Sequence, residues 1–211
     1  MIAIVAAGVL GYALGMLSPA ALIARIRQVD LRRIGSGNPG ATNVARAFGM
    51  RWAVLVALLD IAKGFIPAAL FLSIDGVLVA EVAGVSAVLG HITSPLLRGR
   101  GGKGVATALG AVLGVAPALA AVVLAVFAAA FVISRRVGIA SAIAAGALSI
   151  SGIISVLLGW YPASVAIFAT VIAVLVVYRH TQNVRDVFRP QPPNHPSTTE
   201  GEPKPMGADP T

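Results

Sequence analysis

Two glycine-rich stretches, each flanked by cations, carry the residue types best suited to holding phosphate. The first runs Gly35-Ser36-Gly37-Asn38-Pro39-Gly40-Ala41-Thr42-Asn43 and is followed by Arg46. Glycines let backbone N–H groups approach and wrap an anion, and Ser, Asn and Thr add side-chain hydrogen bonds. A plain turn between helices would also use glycines. The net charge of +5 between Arg25 and Arg51 favours the anion. The second stretch is Arg98-Gly99-Arg100-Gly101-Gly102-Lys103-Gly104. It frames Lys103 with glycines at a helix start, where backbone, helix dipole and ammonium can face one anion. Neither is a nucleotide motif. Gly35, Gly37 and Gly40 fit G-x-G-x-x-G, but a charged segment precedes them and an apolar run follows, with no βαβ unit. Lys103 is followed by Gly104, not by the Ser or Thr of a P-loop.

Other candidates are single polar residues in apolar surroundings. His91 lies seven residues before Arg98. Ser141 begins an apolar run, and Arg179, His180 and Asn183 end one. His180 and Asn183 are three apart and so share a helical face. Each has an ordinary structural explanation: a hydrogen-bonded helix histidine, a serine bonded to its own backbone, a basic interfacial end. Asp60 and Lys63, also three apart, sit deep in an apolar run, which points either to function or to an ion pair that fixes helix packing. Cysteine is absent, which removes thiol nucleophiles and thiolate metal sites.

These residues must be positioned by membrane helices. The 211 residues are 57% hydrophobic and only 11% charged, against about 25% charged in soluble domains. A spanning helix needs about 20 mostly apolar residues. Met1 to Ala24 forms one span, and the stretches between Arg51 and Asp75 and between Asp75 and Arg98 form two more. Val137 to Tyr178 makes two, divided at Gly159-Trp160-Tyr161-Pro162. Gly104 to Ser134 is 31 uncharged residues, long for one crossing, with a break offered at Gly114 and Pro117.

Charge parity resolves that run. Lys63 aside, 15 Lys and Arg residues lie in loops and tail. If Gly104 to Ser134 crosses twice, all of them share one side, as the positive-inside rule favours. The expected fold is all-α and polytopic: seven transmembrane helices, one short, with the N-terminus outside and the C-terminus cytoplasmic. Residues 1–189 form the membrane domain. Residues 190–211, with seven prolines, read as a disordered cytoplasmic tail. Ser36, Asn38, Arg46, His91, Lys103, Ser141, His180 and Asn183 then all meet at the inner interface. Such a cationic pocket suits an amphiphile with a phosphate head and an acyl tail. The basic charge of +8 is thus assigned to bilayer and anionic substrates, not to nucleic acid.

The motifs resemble those of the bacterial acyl-phosphate-dependent glycerol-3-phosphate acyltransferases, the PlsY family. The segment from Gly35 through Val44, Ala45 and Arg46 resembles its first cytoplasmic motif. Gly90-His91, nine residues, then Gly101-Gly102-Lys103-Gly104-Val105-Ala106-Thr107 resembles its second. Arg179-His180-Thr181-Gln182-Asn183 resembles the third. The resemblance covers residues 1 to about 188. It departs from the family pattern at Thr93-Ser94-Pro95, Gly99, Gly138 and the Pro190-Gln191-Pro192-Pro193 ending.

This resemblance implies transfer of an acyl group from acyl phosphate to the 1-hydroxyl of glycerol 3-phosphate, giving lysophosphatidate and phosphate. This is the first acylation of phospholipid synthesis, at the cytoplasmic face of the bacterial inner membrane. A mixed anhydride carries its own leaving group, so no cofactor, metal or CoA is implied, and no obligate protein partner. Ser36, Arg46, Lys103, Ser141, His180 and Asn183 are expected to hold glycerol 3-phosphate. Backbone N–H groups from Gly37 through Gly40 to Ala41, with Asn38, are expected to hold the acyl phosphate. Ser36, Arg46 and Lys103 form the catalytic set, with His91 as base or support. The competing reading is a small transporter or channel for an organic anion, which would use the same spans. Transporter sites usually lie at mid-membrane rather than in inner loops. The H-x-x-x-x-D motif of soluble-type acyltransferases is not met, since Leu96 stands five after His91.

Overall fold

A computed structural model describes the backbone of residues 1–188 and the side chains of residues 1–180. The expected proline-rich tail and the side chain of Asn183 lie outside the described residues. Within them the chain is all-helical. The helices are α1 (Ile2–Gly15), α2 (Pro19–Ile26), α3 (Ala41–Phe48), α4 (Met50–Asp75), α5 (Val77–Thr93), α6 (Val105–Val115), α7 (Pro117–Ser134), α8 (Val137–Leu157) and α9 (Ala163–Phe188). Among the described residues six segments are long and apolar enough to cross a membrane, and α6 is a shorter apolar helix. Its 11 residues span about 16 Å, roughly half of a hydrocarbon core about 30 Å thick.

The polarity pattern is that of a protein in lipid. Ile4, Val9, Leu58, Ile66, Val132, Ile154 and Val174 face outward, whereas Asp60, Lys63, Glu81, His91 and His180 are buried. Lipid offers little hydrophobic drive between helices, so close backbone approach carries the packing. A Cβ on Gly11 or Gly15 of α1 would overlap the carbonyls of Ala83 or Ala87 on α5. One on Gly64 of α4 or Gly110 of α6 would overlap the carbonyls of Thr107 or Ile61 on the opposite helix. Val112, Val165, Phe168 and Ile172 fill the centre, where α6 meets α9.

The first span differs from the expected single helix. It breaks at Met16–Ser18, because a residue before proline avoids the helical region and proline brings no N–H. Ser18 then caps α2, its Oγ accepting from Ala21 N at 3.2 Å. In lipid the freed carbonyls need donors. Lys63 Nζ donates to Leu17 O at 2.7 Å and Ser94 Oγ to Met16 O at 2.6 Å. The breaks expected near Gly114–Pro117 and Gly159–Pro162 both occur, as the joins α6–α7 and α8–α9.

Candidate active site

The first glycine stretch folds as a loop leading into α3. Ile23, Leu31, Val44 and Val56 make a small apolar core under it, and Arg27 stacks over Trp52 at 4.7 Å. Asn43, 1% exposed, donates from Nδ2 to Leu31 O at 2.9 Å and so ties α3 to the loop before it. Gly35 adopts φ +50, and a Cβ there would lie 2.7 Å from Asn43 Oδ1 and 2.8 Å from Arg46 Nη1. The glycine lets both side chains close over the loop.

Not every amide of this loop is available to a ligand. Gly37 N donates to Ile34 O and Gly40 N to Asn38 O, both at 2.9 Å. Gly37 is also not among the cavity-lining residues. In the first turn of α3, by contrast, Ala41 and Thr42 line the cavity, and helix geometry leaves N–H groups there without intrahelical acceptors.

The second glycine stretch is built against the end of α5. Gly101 N donates to Ile92 O and Gly102 N to His91 O, both at 3.1 Å. These amides cap a helix end rather than wrap a ligand, and a Cβ on Gly101 would overlap the His91 carbonyl. Gly104, at φ +80, turns the chain into α6 and leaves Lys103 lining the cavity. Arg179 Nη2 donates to Gly101 O at 3.1 Å and so fastens α9 to this loop.

Four segments thus converge on one cavity of about 930 Å³. Its polar end presents Ser36, Asn38, Arg46, Lys103, Ser141 and His180, and Gly40, Ala41, Asp60 and His91 also line it. Its apolar arm is walled by Val112, Leu124, Phe127, Leu148, Ile172 and Val176. Every expected site residue lines this space except Gly37, and Asn183, whose side chain is undescribed. Among the polar lining residues, Thr42, Asn43, Asp60, Arg135 and Arg136 stand outside the expected site. Thr42 and Asn43 sat inside the first motif without a role. Arg135 and Arg136 are in sequence terms only loop charges that bear on topology.

The two histidines that line the cavity differ in what they offer. His180 is 1% exposed, with Nδ1 2.8 Å from Val176 O. A carbonyl only accepts, so Nδ1 carries the proton, and in the neutral ring Nε2 is an acceptor. His91 is enclosed otherwise. Its Nδ1 faces Asp60 Oδ1 at 3.6 Å, and its Nε2 edge abuts Gly102. His91 lines the cavity while its ring braces the Lys103 loop, which gives it a supporting position beside that loop. Asp60 Oδ1 also lies 2.9 Å from Lys63 Nζ. The pair therefore joins the α1–α2 break to the cavity wall. Ser141 Oγ donates to Val137 O at 2.8 Å, which commits its proton to its own helix.

Comparison with known sequences gives this arrangement its family. The profile described as glycerol-3-phosphate acyltransferase matches residues 5–190. The chain belongs to the glycerol-3-phosphate acyltransferase family. It is 41% identical over 178 residues to the glycerol-3-phosphate acyltransferase of Aquifex aeolicus strain VF5, covering 83% of this chain and 91% of that one. It is 37% identical over 190 residues to the one from Shouchella clausii strain KSM-K16, covering 87% and 92%. Among solved structures it is similar to the glycerol 3-phosphate form of PlsY, an integral membrane glycerol 3-phosphate acyltransferase. That match has a TM-score of 0.81 at 39% identity, over 88% of this chain and 92% of the other. The lysophosphatidic acid form matches with a TM-score of 0.79 at 38% identity, over 88% and 91%. An acyltransferase family displaces the transporter reading, and the chain is an integral membrane enzyme.

Proposed function

We propose that this acyltransferase joins the acyl group of an acyl phosphate to the 1-hydroxyl of glycerol 3-phosphate, at the cytoplasmic face of the inner membrane. One observation carries this reading: a single cavity joins a cationic, hydroxyl-bearing end to an apolar arm. That combination fits a small phosphate-bearing acceptor meeting a long-chain phosphate donor. It also fits the relatives whose crystal forms contain glycerol 3-phosphate and lysophosphatidic acid.

The substrates divide between the two regions. Arg46 and Lys103, with Ser36, hold the phosphate of glycerol 3-phosphate. His180 Nε2 accepts from a glycerol hydroxyl and orients it. The first turn of α3, with Asn38, faces the donor phosphate, and the acyl chain lies along Leu124, Phe127, Leu148 and Ile172. The hydroxyl oxygen attacks the acyl carbonyl, the bond from carbonyl carbon to phosphate oxygen breaks, and the hydroxyl proton ends on the released phosphate. Atoms and charge balance without an enzyme nucleophile. The protein contributes orientation and charge neutralisation, with water kept from a hydrolysable anhydride. Residues 1–189 act as the catalytic unit.

The test is a paired assay on purified protein in detergent, with glycerol 3-phosphate and either palmitoyl phosphate or palmitoyl-CoA. Lysophosphatidate is expected from the phosphate alone and is lost in Lys103→Ala. Product from the thioester alone would overturn the donor assignment. Near-normal turnover by Lys103→Ala would overturn the site.

A further inference from the structure

Arg135 and Arg136 form the turn between α7 and α8, and both line the same cavity as Ser36 and Lys103. The turn is held in place. Arg135 adopts φ +54, its N–H donates to Phe131 O at 2.8 Å, and Arg136 N donates to Ser134 Oγ at 3.3 Å. Behind the pair runs an apolar wall. Phe127 and Phe131 stack at 6.2 Å between centroids, with Val123 and Leu124 on the same helix and Ile139 on α8. Arg135 and Arg136 follow that wall directly in the chain, so an acyl chain lying along it would end near them. Sidedness alone explains why they are basic. It does not explain why they border this cavity.

Charge matching points the same way. The lining cations are Arg46, Lys103, Arg135 and Arg136. The lining acid, Asp60, is already paired with Lys63. A phosphate group of this type carries about −1.5 to −2 near neutral pH, and the reaction proposed above brings two of them together. Arg46 and Lys103 match one. The second has backbone dipoles but no full charge opposite it unless the arginine pair is counted.

We infer that Arg135 and Arg136 form a second phosphate-binding station at the cavity rim, which takes the head of a single-chain phosphate amphiphile while its tail lies on the α7 wall. The inference rests on the acyl-phosphate reading. Two ligands share this chemistry, the acyl phosphate entering and the lysophosphatidate leaving. Both arginines are exposed residues, so the station works at the interface and weakens with salt.

The experiment compares Arg135→Gln/Arg136→Gln and Arg135→Lys/Arg136→Lys with the parent enzyme, in detergent and in vesicles of zwitterionic lipid. In the Gln pair the KM for palmitoyl phosphate is expected to rise about threefold to thirtyfold, as two partly screened charge contacts allow. Its salt dependence flattens, and the KM for glycerol 3-phosphate holds. The Lys pair restores most of the loss. Weaker inhibition by added lysophosphatidate shows that product uses the station too, whereas unchanged inhibition confines it to the donor. An unchanged donor KM overturns the inference, and so does an equal rise for both substrates, which would mark a general field. A parent enzyme that fails to turn over palmitoyl phosphate overturns the donor reading instead, and the two failures are distinct.

Discussion

The imidazole of His91 lies so close to Gly102 that a Cβ on the glycine would overlap Nε2. The backbone of Gly102 also donates to the His91 carbonyl at 3.1 Å. The histidine therefore sets the height of the loop that carries Lys103. In Gly102→Ala either the ring or the loop must move. Displacing a catalytic group by about 1 Å can cost on the order of 100-fold, and the expected loss in kcat/KM is of that size. Removing the ring makes room, so His91→Ala/Gly102→Ala should be more active than Gly102→Ala alone. Steady-state kinetics of the four proteins check this as a double-mutant cycle. A base at His91 would give the opposite result, with the double variant as dead as His91→Ala.

Lys63 serves two partners, Leu17 O at 2.7 Å and Asp60 at 2.9 Å. Lys63→Met leaves a buried carboxylate unpaired and a carbonyl without its donor. Breaking such a pair costs about 3–5 kcal/mol. Thermal unfolding in detergent should show that loss for Lys63→Met. Asp60→Asn/Lys63→Met should fall short of the summed single effects, because neither charge is then orphaned. Fully additive losses would remove the coupling.

Much of this was legible in the sequence, because lipid makes charge placement informative. A cation in a loop costs little and a cation in a span costs much. Sorting Arg25 to Lys204 by side was therefore enough to bring Ser36, Lys103, Ser141 and His180 to one end. Apolar length alone does not reveal the break between α1 and α2, which Ser18-Pro19 signals. The use of individual amides was not legible. Gly37, Gly101 and Gly102 have the composition of an anion loop, but their N–H groups go to Ile34, Ile92 and His91. Composition does not say which acceptor lies nearby in space. Arg135 and Arg136 were obscured in the same way, because a topology charge and a rim charge look alike in one dimension.

Ser141 offers the site only its lone pairs, since its proton goes to Val137 O at 2.8 Å. A single neutral hydrogen bond is worth about 0.5–1.5 kcal/mol. Ser141→Ala should therefore lower kcat/KM for glycerol 3-phosphate by about tenfold at most, where Lys103→Ala removes nearly all activity. A collapse in Ser141→Ala with intact thermal stability would mean that the hydroxyl leaves its helix and donates to substrate.

The short helix α6 gives the last prediction. It starts immediately after Lys103 and Gly104, and it is held against α4 by glycines on both sides. A Cβ on Gly110 would overlap the Ile61 carbonyl, and one on Gly64 would overlap the Thr107 carbonyl. Backbone carbonyls cannot rotate away as side chains do, so Gly110→Ala must push α6 off α4 and carry Lys103 with it. Both unfolding temperature and affinity for glycerol 3-phosphate should drop together. Gly146, inside α8, has nothing within 4 Å of where its Cβ would stand. Gly146→Ala should instead leave kinetics alone and gain about 0.5–1 kcal/mol from helix propensity. If the two alanine variants unfold alike, close approach of α4 and α6 is not what positions Lys103.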